Sequence, residues 1–267
     1  CRGGELDQWA ITRVVITDSE SEISSAVRTP RTVPRAARWL HVNLAPVYNG
    51  DVRDIFRRQY LSPRPATVSV RLGIDGYSPW TFAPWKLDPP AIDLSNLPRL
   101  KDSSGLISTP QGAKFAGLGG ERNIAFTSLW DNWPSQVVVP ARRSAEAAWL
   151  LIAGSTNPMQ TRIANAVLKF RYSDGVVENL DLVPPLNFWS LCPLGGRDYL
   201  YERDGFCLPR HPPPAVQLGN NCRAMVISWK LRPRVPLESI TLETLSQEVV
   251  IGVMGVSLMN PVDGPPE

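Results

Sequence analysis

Between residues 123 and 182 the chain repeats one pattern, an alternating apolar run of four to eight residues followed by a cluster of turn formers. Segments 136–139 (QVVV) and 167–172 (VLKFRY) alternate with period two, and Ser173-Asp174-Gly175 interrupts them, which predicts antiparallel strands rather than helices. An Asp-Gly step between alternating runs is a strong hairpin signal, so 167–172 and 177–182 are expected to pair about residues 173–176. Further strands are expected at 123–128, 147–153, 223–230, 237–242 and 249–258. Eight strands at this spacing suit a jelly-roll-like β-sandwich. The last of them, VVIGVMGVSL, has almost no polar break and reads as a strand covered on both faces.

Composition agrees with an all-β chain. Pro 26 and Gly 19 are too many for a helical bundle, while 43% hydrophobic residues are ample for a packed core. At 267 residues the usual domain size favours two units. Residues 1–90 read as a smaller β-rich module, with strands at 9–17, 38–44 and 66–74. It carries one short helix over 51–60, in which Val52, Ile55, Phe56 and Tyr60 recur at helical spacing after an Asn49-Gly50-Asp51 turn and cap. Residues 91–267 hold the sandwich. The Pro- and Trp-rich stretch 76–101 reads as a linker packed on the surface.

Charge excludes more than it suggests. The formal charge of +3 is spread out, and the densest basic cluster, 28–38 (RTPRTVPRAAR), is broken by proline and lacks interleaved aromatics, so no nucleic-acid partner is expected. No run of about 18 apolar residues is present, so no transmembrane helix is expected. A chain opening on Cys1 reads as an excised segment, or as a lipoprotein acylated at that cysteine. Four cysteines without a CxxC or Cys-His ligand spacing argue against structural zinc and leave a disulfide open. Cys192 with Cys207 is the expected pair, since closing a loop of about 15 residues constrains the unfolded chain by roughly 3 kcal/mol. Cys207 with Cys222 is the alternative.

Several pieces together resemble an uncharacterised β-sandwich family, found in the C-terminal part of large bacterial and some fungal proteins that otherwise look like glycoside hydrolases. They are VYNGDVRDIFRRQYLSPRP, LISTPQGAKF, NIAFTSLWDNWP, AWLLIAGSTNPMQTRI, RYSDGVVENLDL and EVVIGVMGVSL, spread over residues 47–258. More loosely, the layout is similar to galactose-binding-like jelly rolls attached to glycosidases. The resemblance implies a carbohydrate-related accessory or structural region of a secreted, periplasmic or cell-surface protein. The family has no mechanism to transfer, so no catalytic residue comes with it. The Arg142-Arg143 turn and the GGRDYLYERDGF stretch depart from its pattern.

Candidate contact residues follow from chemistry. In Trp130-Asp131-Asn132-Trp133 the indoles could stack on pyranose C–H faces while Asp131 and Asn132 bond hydroxyls; alternatively the pair forms a turn and the indoles pack at the core edge. Asn157, Gln160 and Arg162 follow a buried strand, and Arg162 suits a carboxylated sugar, unless this loop only bonds itself. Asp198 and Tyr199 belong to an acidic, aromatic stretch, 197–206, where two of Asp198, Glu202 and Asp204 would supply an acid–base pair if the chain were itself a glycosidase or lyase. Arg197, Arg203 and Arg210 favour ion pairing there instead. Neither His41 nor His211 looks catalytic. No cofactor is expected; calcium held by loop carboxylates and carbonyls is the one ion such folds commonly take, though no EF-hand pattern is present. The expected role is glycan contact or scaffolding of a catalytic domain of the same parent chain, with a hydrolase or a purely structural interaction domain as the alternatives.

Overall fold

The computed structural model describes residues 33–34, 36–55, 91–118, 120–129, 133–156, 162–184, 186–191, 213–220, 222–247 and 249–262. In chain order the strands are β1 Ala37–His41, β2 Ile107–Ser108, β3 Lys114–Phe115, β4 Ala125–Ser128, β5 Gln136–Arg143 and β6 Ala147–Thr156. They continue as β7 Ala166–Tyr172, β8 Val177–Leu182, β9 Ala215–Gln217, β10 Arg223–Lys230, β11 Leu237–Thr244 and β12 Val249–Pro261. A 3-10 turn (Val52–Asp54) and a short helix (Leu97–Leu100) are the only helical pieces among the described residues. All eight strands expected from alternation are present, most of them longer than expected.

Every pairing among the described strands is antiparallel. One sheet runs β1-β12-β6-β10-β9, with β4 also on β12, and a second runs β5-β11-β7-β8. β12 is long enough to hold two neighbours along one edge: β4 lies against Val250–Val253 and β1 against Ser257–Pro261. Setting β1 and β9 aside, β4-β12-β6-β10 faces β5-β11-β7-β8, so consecutive strands alternate between layers from β4 to β7. This is jelly-roll wrapping. The described part of residues 1–90 therefore adds an edge strand to the sandwich's own sheet, and Val52 and Ile55 are buried against that sheet's other face.

The hairpin forms as expected. Arg171 pairs with Val177, Gly175 N–H donates to Tyr172 C=O at 3.0 Å, and Gly175 takes φ +85, leaving a three-residue loop closed by a left-handed glycine.

The first sheet is a central layer with a core on each face. Along β6, Ala148, Leu150 and Ile152 point into the core shared with the second sheet, while Ala147, Trp149, Leu151 and Ala153 point into a second core. The continuous apolar character of β6 and β12 is the direct consequence. The second core is covered mostly by irregular chain: the β2–β3 hairpin, the 3-10 turn and the short helix contribute Ile107, Phe115, Val52 and Leu97. Residues 91–101, part of the expected surface linker, thus bury Leu97 and pack Ile92, Leu94 and Leu100 against the core.

Of the helix expected over 51–60, the described part is one 3-10 turn, capped by the Asp51 carboxylate, which accepts from Arg53 N–H at 2.8 Å. Residues 56–60 lie outside the described residues, as do the strands expected at 9–17 and 66–74.

β12 changes face once. Its register against β6 shifts between Val253 and Gly255, so Met254 is an extra residue, and the strand keeps Val253 and then Val256 in the first core. The Tyr48 hydroxyl donates to Met254 C=O at 2.7 Å, and burial pushes the Tyr48 phenol up to about 12. On the neighbouring strand, His41 Nδ1 lies 2.9 Å from Ser257 Oγ. Burial holds His41 below its ordinary value; Lys114 acts in the same direction and Asp102 opposes it. A histidine whose folded value is depressed binds fewer protons folded than unfolded. Stability is expected to fall as pH drops through the unfolded value of 6.5 toward the lower folded one. Urea titrations between pH 7.5 and 5 should show a shallower loss in a His41→Asn variant, and identical pH slopes would contradict this assignment.

Candidate functional site

Jelly-roll wrapping sends alternate links to opposite ends. Ser128 pairs with Val250, Thr156 with Val249, Ala166 with both Leu182 and Thr244, and Gln136 with Glu243. These registers put the end of β4, β6, β8 and β11 and the start of β5, β7 and β12 at one pole, with the start of β10 beside the end of β6. The links 129–135, 157–165, 183–222 and 245–248 all leave from it. The first three contain every contact residue that chemistry singles out, although they lie far apart in sequence.

A layer of polar side chains floors this pole. Thr127, Ser128, Ser155, Thr156, Asn165, Ser190 and Thr244 are all buried. They bond to one another and to the links above: Thr127 and Thr244 hydroxyls meet at 2.7 Å, the Thr156 hydroxyl donates to Asn165 Oδ1, and Thr156 N–H donates to Ser190 Oγ at 3.4 Å. Asn165 C=O accepts from Leu245 N–H at 2.9 Å, and Asn165 N–H donates to Leu182 C=O at 2.8 Å, so one residue joins two links and the end of β8. Such satisfied buried networks fix a single arrangement of the chain around them. Above the floor, Leu129, Ile163, Leu186 and Leu245, one from each link, are exposed.

The candidate residues divide here. Trp133 is 6% exposed, its ring centroid 4.6 Å from that of Phe126 and tilted 45° to it, in the second core. The core-edge alternative applies to this indole, and a buried indole offers no stacking platform. Arg162 is exposed, takes φ +63, and its N–H donates to Pro184 C=O at 2.6 Å, tying the β6–β7 link to the chain after β8. Left-handed backbone at a non-glycine residue is uncommon and fixes where the side chain starts. Trp130, Asp131, Asn132, Asn157, Gln160, Asp198 and Tyr199 lie outside the described residues, as do Cys192 and Cys207. Cys222 is disulfide-bonded.

At the opposite pole is a group that sequence reasoning passed over. Glu178 Oε2 accepts from the Tyr172 hydroxyl at 2.7 Å and from Trp229 Nε1 at 3.2 Å. Arg232 lies 5.2 Å from the Tyr172 ring centroid and bonds Asp174 at 2.6 Å, while Trp229 stacks on Phe170 with centroids 5.5 Å apart. Burial, with Glu178 adding to it, pushes the Tyr172 phenol well above its ordinary value. This network pins the 173–176 hairpin and the β10–β11 link together. Its only sequence signal was the hairpin itself.

Among the described residues, no three His, Cys, Asp or Glu side chains gather as a metal site would require, and no helix is long and apolar enough to cross a membrane. Comparison with protein-family models, with curated proteins and with solved structures finds no match to this chain.

Proposed function

We propose that the chain is a non-catalytic accessory region of a larger, exported carbohydrate-active protein, and that it contacts glycans at the pole where links 129–135, 157–165 and 183–222 emerge. The observation that carries this reading is the convergence of strand ends. Three stretches chosen for indole, amide, guanidinium and carboxylate chemistry leave from one polar-floored pole of the sandwich. A sugar site needs an apolar platform beside a few orienting hydrogen-bonding groups. Exposed Leu129, Ile163, Leu186 and Leu245 add apolar surface at the same pole. Trp130 is the remaining indole for a platform.

Binding by one stacked ring and a few polar contacts corresponds to millimolar-to-micromolar affinity, about 4–8 kcal/mol. On an oligosaccharide array, with affinities then measured by calorimetry, the 267-residue chain is expected to bind in that range. Trp130→Ala should weaken binding at least tenfold, and Asp174→Ala, at the other pole, should leave it unchanged. Equal binding by both variants sinks the platform. Glycan turnover by the chain, lost on Asp198→Asn or Asp204→Asn, would replace the accessory reading with the hydrolase.

A further inference from the structure

We infer that the disulfide of Cys222 is made with Cys192, closing the base of the long link between β8 and β10. Cys222 is disulfide-bonded and its side chain is fully buried, in the same core as Leu191. Leu191 N–H donates to Gly154 C=O at 2.6 Å, and Leu191 C=O accepts from Arg223 N–H at 2.9 Å. Leu191 is therefore seated between the ends of β6 and β10, with its carbonyl on the β10 side.

Covalent geometry turns this into a bound. In a trans peptide the Cα of residue 192 is about 2.8 Å from the oxygen of residue 191, and the Cα of residue 222 is about 2.4 Å from the nitrogen of residue 223. With the hydrogen bond between them, the two Cα atoms are at most about 8 Å apart, and any bend in that path shortens it. Disulfides span about 4.4–6.8 Å. Sequence spacing does not choose among the partners, since Cys207 is 15 residues from Cys192 (207 − 192) and 15 from Cys222 (222 − 207). The Leu191–Arg223 bond favours Cys192, the residue next to Leu191, over Cys207.

The two thiols lose two protons and two electrons to a low-molecular-weight or protein disulfide, which is reduced to two thiols by exchange. An oxidising compartment is implied. The inference stands apart from the glycan reading, although the closed link is the one that carries Asp198 and Tyr199.

Trypsin separates the cysteines: cleavage after Arg171, Arg197, Arg203, Arg210 and Arg223 leaves Cys192 in 172–197, Cys207 in 204–210 and Cys222 in 211–223. The full chain, alkylated with iodoacetamide in denaturant without reductant and then digested, should yield 172–197 joined to 211–223, released on reduction. Cys207→Ser should keep that pair, and Cys192→Ser should make Cys222 alkylatable. A linkage of 204–210 to either of the other two peptides, or loss of the linked pair in Cys207→Ser, overturns the assignment.

Discussion

Replacing Trp149 by Ala is expected to lower stability by about 3–5 kcal/mol, the range for deleting a large buried aromatic. Trp149 lies at 2% exposure on the central strand β6, facing the second core. Its register neighbours are Ser257 on β12 and Ser228 on β10, two small residues that leave room for an indole between them. Trp39 meets it edge-on, with centroids 6.1 Å apart and planes at 70°. Removing the ring thus empties a space floored by serines and roofed by irregular chain, and neither can close in cheaply. Trp149 Nε1 finds no hydrogen-bond partner among the described residues, so Trp149→Phe sheds an unpaired donor while keeping much of the ring. Phe should therefore cost less than half of what Ala costs. Urea unfolding monitored by circular dichroism checks both. A loss below about 1 kcal/mol for Ala would mean that the second core is not packed as described.

That second core marks the limit of what the sequence made legible. Strand β5, QVVVPARR, alternates exposed and buried residues as its pattern implies, and β12 is buried along both faces as its unbroken apolar run implies. These are local signals, and local structure obeyed them. The covering layer gives no such signal. Ile107, Ala113, Phe115 and Leu118 are buried from two-residue strands and turns, where no period can develop. β1 was readable as a strand, but its partner β12 lies more than 200 residues away, and alternation does not name a partner. The site followed the same rule. Trp130 and Trp133 were equivalent as sequence, yet burial of Trp133 depends on where Phe126 and Gly50 stand. Thr156 and Asn165 carry no periodic signal, and their place beneath the pole follows only from the strand order.

Gly252→Ala is expected to cost about 1–3 kcal/mol or more, the range for forcing extra volume into a filled core. Gly252 lies midway along β12, paired with Phe126 on one side and Ala153 on the other, so it cannot move without breaking two ladders. A Cβ there would stand 2.5 Å from Ile124 Cγ1, 2.8 Å from Ile124 Cδ1 and 2.9 Å from Ala125 C=O. Ile124 cannot yield easily: it is fully buried, its C=O accepts from Gly50 N–H at 3.2 Å, and Asn49 clamps the neighbouring strand by bonding Phe126 N–H and C=O, each at 2.8 Å. The outer edge of β4 would have to shift with it. The added methyl would ordinarily favour the folded chain by about 0.5–1 kcal/mol over glycine in a strand, so the measured loss is net of that gain. Gly175→Ala supplies the contrast. Nothing lies within 4 Å of a Cβ at Gly175, and only its φ of +85 resists, at about 1–2 kcal/mol. Shortening Ile124 to Ala in the Gly252→Ala background removes both clashing side-chain atoms, so the double variant should lose markedly less than the sum of the two single losses. Strict additivity of the two substitutions would show that Ile124 is not what excludes a side chain at residue 252.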